Sequence, residues 1–163
     1  MGDLDSHEAH AVRLANESEC IVVNVDYRLA PEHRFPAAYD DCLAVTRWAH
    51  QNIDQLGRQH KRFAIGGDSA GGNLASGVAL RARDEGKIKL AYQLLIYPAN
   101  GLDFEAPSYK NNAEGYGLSS RGMIWFWEQY LNEKDKNNSY AVPHTAKSLA
   151  GLAPVVIITA CCI

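Results

Sequence analysis

The stretch that decides the fold is Arg62-Phe63-Ala64-Ile65-Gly66-Gly67-Asp68-Ser69-Ala70-Gly71-Gly72-Asn73-Leu74-Ala75. Its first five residues are typical of a short strand, and the apolar spacing from Leu74 to Ala82 predicts a helix that ends before Gly86. Between them, residues 67–71 fit the pattern G-x-S-x-G. A five-residue match is weak by itself, but its place between a strand and a helix predicts a nucleophile elbow with Ser69 at its tip.

The chemistry of such an elbow explains each residue type in the pattern. Ser69 must occupy a sharp, strained turn so that its hydroxyl projects above the edge of the sheet. Positions 67 and 71 require small residues, because side chains there would make the strand and the helix collide. Gly67 and Gly71 meet this requirement. The start of the helix directs free N–H groups at the site, so the backbone N–H of Ala70 is a predicted oxyanion donor.

The glycine-rich turn has two other interpretations: a plain connection between strand and helix, and a phosphate-binding loop. No lysine follows in the position that a P-loop requires, and the glycines are not spaced as in a dinucleotide-binding turn. The pattern therefore favours Ser69 as a nucleophile.

Outward from the elbow, strands and helices alternate along the whole chain. Apolar and β-branched runs predict buried strands at 20–27 and 154–160, and further strands at 62–66 and 90–97. Helical spacing predicts a first helix capped by Ser6, a second at about 37–52, and an aromatic-rich helix that Ser119 or Ser120 caps and that runs through Leu131. This alternation predicts an α/β fold with a mostly parallel sheet flanked by helices.

Composition and charge exclude several classes of partner. The 163 residues are 47% hydrophobic, and 16 Lys and Arg against 19 Asp and Glu give a net charge of −3. No basic stripe is present, so we expect no nucleic-acid partner. No apolar run approaches the length of a membrane span. The acidic start of the chain does not resemble a signal peptide, which predicts a cytoplasmic location.

The cysteines carry no metal or catalytic pattern. Cys20, Cys42, Cys161 and Cys162 lack the spacing of metal ligands, and none lies on a turn before a helix. We expect reduced and mostly buried thiols, no bound metal and no cofactor.

Three separated motifs resemble one known family. They are the elbow itself, the stretch Val25-Asp26-Tyr27-Arg28-Leu29-Ala30-Pro31-Glu32-His33 with Phe35-Pro36-Ala37-Ala38 after it, and the later pair Leu95-Ile96-Tyr97-Pro98 and Asn112-Ala113-Glu114-Gly115-Tyr116. In this order they resemble the hormone-sensitive-lipase-like branch of the α/β-hydrolases, which contains many carboxylesterases. The resemblance covers nearly the whole chain.

The resemblance implies a serine carboxylic-ester hydrolase that needs no cofactor and acts on small-molecule esters. Members of the family use a Ser–Asp–His triad, an upstream HGGG loop for the oxyanion, and an acyl-enzyme intermediate. On this pattern Ser69 corresponds to the nucleophile, Ala70 to one oxyanion donor, and Gly67 and Gly71 to the elbow glycines.

The sequence departs from the family at both ends. The HGGG loop would align before Met1, the triad acid aligns with Ile163, and the triad histidine would follow one further strand. We therefore expect residues 1–163 to form a single partial α/β-hydrolase domain, a fragment without the N-terminal HGGG region and the C-terminal Asp/His region. The six histidines present fit structural or surface positions better than the catalytic one, namely His7, His10, His33, His50, His60 and His144.

Two alternatives to an active hydrolase remain open from the sequence. In the first alternative, the chain is a catalytically inactive fragment. In the second it is a non-enzymatic, small-molecule-binding relative that keeps the elbow, because a shared fold does not establish a shared function.

Overall fold

The computed structural model describes residues 2–56 and 62–159, in which helices and three parallel strands build one α/β unit. This confirms the predicted fold class. The elements in chain order are α1 (Leu4–Ser18), α2 (Ala37–Gln51), β1 (Ala64–Asp68), α3 (Ala70–Glu85), β2 (Tyr92–Ile96), α4 (Pro107–Asn111), α5 (Ser120–Tyr130) and β3 (Val155–Ile158). Short 3-10 turns follow α5 at Glu133–Asp135 and Pro143–Thr145.

The sheet has the strand order β1-β2-β3, and each neighbouring pair is parallel. Asp68 of β1 pairs with Ile96 of β2, and Ile96 pairs with Ile158 of β3, so the carboxyl ends of all three strands lie at one edge. α3 connects β1 to β2 and packs on both of them. In open α/β sheets this carboxyl edge is where ligands bind, and here Ser69 follows β1 at that edge.

The core lies where α3 meets α2, α5 and the segment after it. Val78 of α3 and Val142 are almost fully buried, and Trp127 of α5 is 7% exposed. α3 comes very close to the later segment at Gly77, where a Cβ would overlap the backbone carbonyl of Tyr140. The helix that begins at the elbow is thus the central element of the packing.

Helix ends follow the local signals with one exception. Ser119 caps α5 by accepting a hydrogen bond from the N–H of Gly122 at 3.0 Å, and Gly86 ends α3 with a left-handed φ of 65°. Both were predicted. The first helix is capped by Asp3 rather than Ser6, because the Asp3 carboxylate accepts from the Ser6 N–H while the Ser6 hydroxyl accepts from the Asp3 N–H. No helix in the described ranges is long and apolar enough to cross a membrane.

The predicted buried strand at 20–27 is wrong. This segment joins no ladder; Cys20 is exposed, and Ile21 and Val23 are 50% and 41% exposed. A strand needs a neighbour to pair its N–H and C=O groups. Within the described residues the only strands are β1, β2 and β3, and none lies beside this segment. An apolar pattern alone therefore did not produce a strand.

The last strand is present, but the prediction that it is buried is wrong. Its residues Val155, Val156, Ile157 and Ile158 are between 40% and 54% exposed. β3 is an edge strand of the described sheet, and the first helix, which has no buried residue, does not cover it. Ala160, the predicted end of this strand, lies outside the described residues.

An ion pair fixes the loop before α2. The Arg28 guanidinium donates to both carboxylate oxygens of Asp41, at 2.8 and 2.9 Å, and the Arg28 backbone N–H donates to the same group at 3.0 Å. These hydrogen bonds lower the pKa of the Asp41 carboxyl below its ordinary value. The Arg28–Asp41 ion pair therefore joins this loop to α2.

Asp41→Asn is expected to lower the urea midpoint of unfolding of the full-length gene product at pH 7, and to lower it by less at pH 3. A carboxyl whose pKa is depressed by folding adds stability above its unfolded pKa of about 4, and that stability is lost as the pH falls through the folded pKa. Urea titrations at pH 7, 5 and 3 measure the difference. Glu114→Gln, which removes the same charge from the loop before α5, is the control. A difference that persists unchanged at pH 3 would show that Asp41 acts through something other than its charge.

Candidate active site

Ser69 occupies the tip of a strand–turn–helix junction. It lies between Asp68, the last residue of β1, and Ala70, the first residue of α3. Its backbone has φ 49° and ψ −114°, a conformation that residues with a side chain rarely adopt. Such a residue stores about 1–3 kcal/mol of strain, and strain of this kind clusters at functional sites. The strained turn predicted for Ser69 is present.

Backbone hydrogen bonds hold Ser69 in this conformation from both sides. Its N–H donates to the carbonyl of Ile96 at 2.9 Å, and its carbonyl accepts from the N–H groups of Asn73 and Ala99, each at 3.1 Å. The Ser69 side chain does not cap α3, although serine at this position often does. Its hydroxyl is therefore left available at a rigid, partly exposed site.

The glycines around Ser69 differ in how strictly the structure requires them. A Cβ at Gly67 would overlap the Gly71 carbonyl and lie 2.9 Å from the Gly72 nitrogen, and one at Gly72 would lie 2.9 Å from the Pro98 Cβ. A Cβ at Gly71 would meet no atom within 4 Å. The clearance expected at Gly67 is present, whereas the same steric reason is not found at Gly71. The crowded group at Gly71 is its backbone, which faces Gly67.

Ala70, the predicted oxyanion donor, begins α3. Ala70 is the first residue of a 16-residue helix, so its N–H has no acceptor within the helix. The positive end of the helix dipole acts at the same place. An N–H one residue after Ser69 is correctly positioned in the chain to stabilise negative charge that develops on a carbonyl oxygen bonded to Ser69 Oγ. This role of Ala70 stays a prediction.

Asn73 is a residue whose function in the site the sequence did not reveal. It is 3% exposed, and its side-chain amide donates to the carbonyls of Ala99 and Ala141, at 2.9 and 3.0 Å. The first of these belongs to the loop whose N–H binds the Ser69 carbonyl. Asn73 therefore connects the loop after β2 to the helix that begins after Ser69, and its place in the motif was the only available signal.

No histidine in residues 2–56 and 62–159 forms a hydrogen bond to Ser69. His7 contacts the residue before Ser69: its Nε2 lies 3.7 Å from Oδ1 of Asp68, and its Nδ1 contacts the Ser6 hydroxyl at 3.1 Å. His50 packs edge-on against Phe63, and the His144 N–H donates to the Asn100 carbonyl. His60 and Ile163, the residue aligned with the triad acid, lie outside the described residues. The described residues thus present Ser69 without its base.

Of the two cysteines that the structure describes, Cys42 does not compete with Ser69. Burial raises the pKa of the Cys42 thiol to about 12, so Cys42 is protonated at neutral pH and unreactive. Cys20 and Cys42 are both free, and Cys161 and Cys162 lie outside the described residues. Within the described ranges no three His, Cys, Asp or Glu side chains are grouped as metal ligands would be.

The aromatic residues of α5 serve mainly as packing. Trp127 is part of the core, whereas Trp125 is 52% exposed. Beside Trp127, a cleft of about 460 Å³ opens between α5 and the loop after β2. Its walls include Leu102, Phe104 and Arg34. Trp127 therefore packs in the core, whereas Trp125 does not.

A comparison with known families identifies the fold of which this elbow is part. The sequence profile described as alpha/beta hydrolase fold matches residues 1–162. The chain belongs to the alpha/beta hydrolase fold family. Within that family, the resemblance to carboxylesterases inferred from the three motifs is confirmed by the similar proteins described next.

Similar alpha/beta hydrolases are named as esterases. The esterase LipI of Mycobacterium tuberculosis is 43% identical over 162 residues, which cover 98% of this chain and 51% of that protein. An arylesterase of Saccharolobus solfataricus is 36% identical, over 98% of this chain and 53% of its own length. The solved structure of an esterase from Pyrobaculum calidifontis superposes with a TM-score of 0.88 at 41% identity, over 96% of this chain and 52% of that one. The chain spans about half the length of the relatives that it matches.

Proposed function

We propose that the protein is a carboxylic-ester hydrolase that acts through an acyl-enzyme on Ser69. One observation carries the proposal: Ser69 has a left-handed φ between β1 and α3, is held by three backbone hydrogen bonds, and has a hydroxyl that forms no hydrogen bond within residues 2–56 and 62–159. The esterase names of relatives at 36–43% identity support the same reaction class.

In the proposed reaction the Ser69 oxygen attacks the acyl carbon of an ester, and its proton passes to a histidine base that the described residues do not include. Negative charge then develops on the former carbonyl oxygen, where the N–H of Ala70 donates a hydrogen bond. Collapse of this intermediate expels the alcohol, which takes the proton, and leaves an acyl-serine. Water, deprotonated by the same base, attacks the acyl-serine and releases the acid, which returns Ser69 to its hydroxyl form.

The proposed partner is a small-molecule ester, and no metal or nucleotide takes part. Residues 1–163 form a single partial domain of the hydrolase fold in this proposal, in line with the half-length match to the relatives. A cytoplasmic location is also proposed. It is supported by the free thiols of Cys20 and Cys42, since cytosolic proteins rarely carry disulfides.

The full-length gene product is expected to hydrolyse p-nitrophenyl acetate and butyrate with a kcat/KM of about 10⁴ M⁻¹ s⁻¹ or more. The rate is expected to be the same before and after incubation with EDTA, because a serine nucleophile needs no Lewis acid. Release of p-nitrophenol, followed at 400 nm, measures both. Activity that disappears on chelation and returns with zinc would contradict a serine mechanism.

The absence of a described histidine at Ser69 favours one alternative, in which the 163-residue chain by itself is catalytically inactive. A serine without a base is a weak nucleophile at neutral pH. The chain assayed alone is then expected to match its Ser69→Ala variant on p-nitrophenyl acetate. Ser69-dependent turnover by this chain would instead show that one of its own six histidines serves as the base. Saturable binding of a small molecule without turnover by the full-length gene product would favour the non-enzymatic relative.

A further inference from the structure

Tyr97 shares the unusual backbone of the nucleophile and stands beside it. In the described residues, left-handed φ values at positions with a side chain occur at Glu19, Ser69 and Tyr97, where φ is 36°. The register of β1 against β2 pairs Asp68 with Ile96, so the next residue on each strand is Ser69 opposite Tyr97. Adjacent strands lie about 5 Å apart. Tyr97 is therefore the neighbour of Ser69 at the carboxyl edge of the sheet.

The left-handed turn changes where the Tyr97 side chain goes. Side chains alternate between the faces of a strand, and Gln93 and Leu95 of β2 are 3% and 4% exposed. Continued alternation would bury Tyr97 on the same face, but its side chain is 52% exposed. The backbone conformation thus keeps a large aromatic ring out of the core and at the edge where Ser69 lies.

The backbone on both sides of this ring is firmly held. The Tyr97 N–H donates to the Ile158 carbonyl at 2.6 Å, and the Ala99 N–H donates to the Ser69 carbonyl at 3.1 Å. Between them, Pro98 packs against Gly72 of α3. The backbone that bears the Tyr97 ring is therefore fixed relative to Ser69. A bulky residue held in a strained conformation at the substrate edge indicates a role in function rather than in packing.

From this geometry we infer that Tyr97 is a specificity-determining residue whose ring forms one wall of the substrate site at Ser69 and limits the size of the ester. The inference rests on the proposed function. It assigns to Tyr97 no part in bond making or breaking. The ring excludes bulk on the β2 side of the nucleophile, and small esters fit beside it.

The test compares size preference in the full-length gene product and its variants. One series holds the alcohol constant, from p-nitrophenyl acetate to octanoate, and the other holds the acid constant, from methyl to hexyl acetate. Tyr97→Gly removes the ring and tolerates φ 36° without strain, and Tyr97→Ala removes it on the original backbone. Tyr92→Ala is the matched control, because Tyr92 is an exposed tyrosine at the opposite end of β2.

The quantity compared is the ratio of kcat/KM for the largest ester to kcat/KM for the smallest ester in each series. We expect this ratio to rise about tenfold in one of the two series for both Tyr97 variants. The control should leave both ratios unchanged. Damage to the fold would lower the rates on large and small esters together, so it would not move the ratio. Ratios within twofold of the wild type in both series, or ratios that fall, would overturn the inference. Ser69-dependent hydrolysis of the acetate esters in the same experiment would leave the proposed function intact. Absence of any Ser69-dependent hydrolysis would overturn the proposed function itself.

Discussion

Ser69→Ala is expected to lower kcat/KM of the full-length gene product on p-nitrophenyl acetate by at least about 10⁴-fold. In the proposed mechanism the Ser69 hydroxyl forms the acyl bond, and the methyl of alanine has no oxygen to replace it. The backbone at Ser69 is fixed by the Ile96, Asn73 and Ala99 hydrogen bonds, all of which alanine can keep. The loss should therefore appear in kcat without a change in the urea midpoint of unfolding.

Ser148→Ala is the control for this prediction. Ser148 is an exposed serine whose hydroxyl accepts from the Ala150 N–H, far along the chain from the elbow. Its replacement should leave the rate within twofold of the wild type. A Ser69→Ala variant that retains more than a tenth of the wild-type rate would show that the acyl group is carried elsewhere or is never formed.

Gly67→Ala is expected to destabilise the full-length gene product by about 3 kcal/mol, the upper end of the range for overpacking. The added methyl would overlap the Gly71 carbonyl, and this backbone cannot move away without displacing the start of α3. The same displacement would shift Ser69 and the Ala70 N–H, so activity should fall with stability. Urea denaturation followed by circular dichroism, together with the ester assay, measures both effects.

Gly71→Ala is the matched control for the elbow. It adds the same methyl four residues later, where nothing lies within 4 Å, and it places a better helix former in the first turn of α3. Its free energy of unfolding should change by less than about 1 kcal/mol and in the stabilising direction. Equal destabilisation by the two substitutions would contradict the conclusion that the elbow has no room for a side chain at residue 67 but has room for one at residue 71.

The elbow and the helix ends were predictable because they depend on residues close together in the sequence. The G-x-S-x-G pattern marks the turn from β1 into α3, and a serine three residues before Gly122 marks the start of α5. Cap and turn chemistry is local, so the residue types alone carry the information. Apart from the strand predicted at 20–27 and the short helix α4, the order of strands and helices followed from the same local signals.

What the sequence could not show depends on distant partners. The apolar run at 20–27 becomes a strand only if another strand lies beside it, and β3 is buried only if another layer covers it. The role of Asn73 depends on carbonyls 26 and 68 residues away. The conformation of Tyr97 is a tertiary effect as well, because glycine or asparagine is the usual signal for a left-handed residue and tyrosine is not.

The central claim, that Ser69 is the nucleophile, is tested most directly by covalent labelling. The full-length gene product is treated with a p-nitrophenyl phosphonate ester, digested, and analysed by mass spectrometry. We expect one phosphonyl adduct per chain, on the peptide that contains Ser69, and no adduct in the Ser69→Ala variant. An adduct on another residue, or labelling that persists in Ser69→Ala, would contradict the claim.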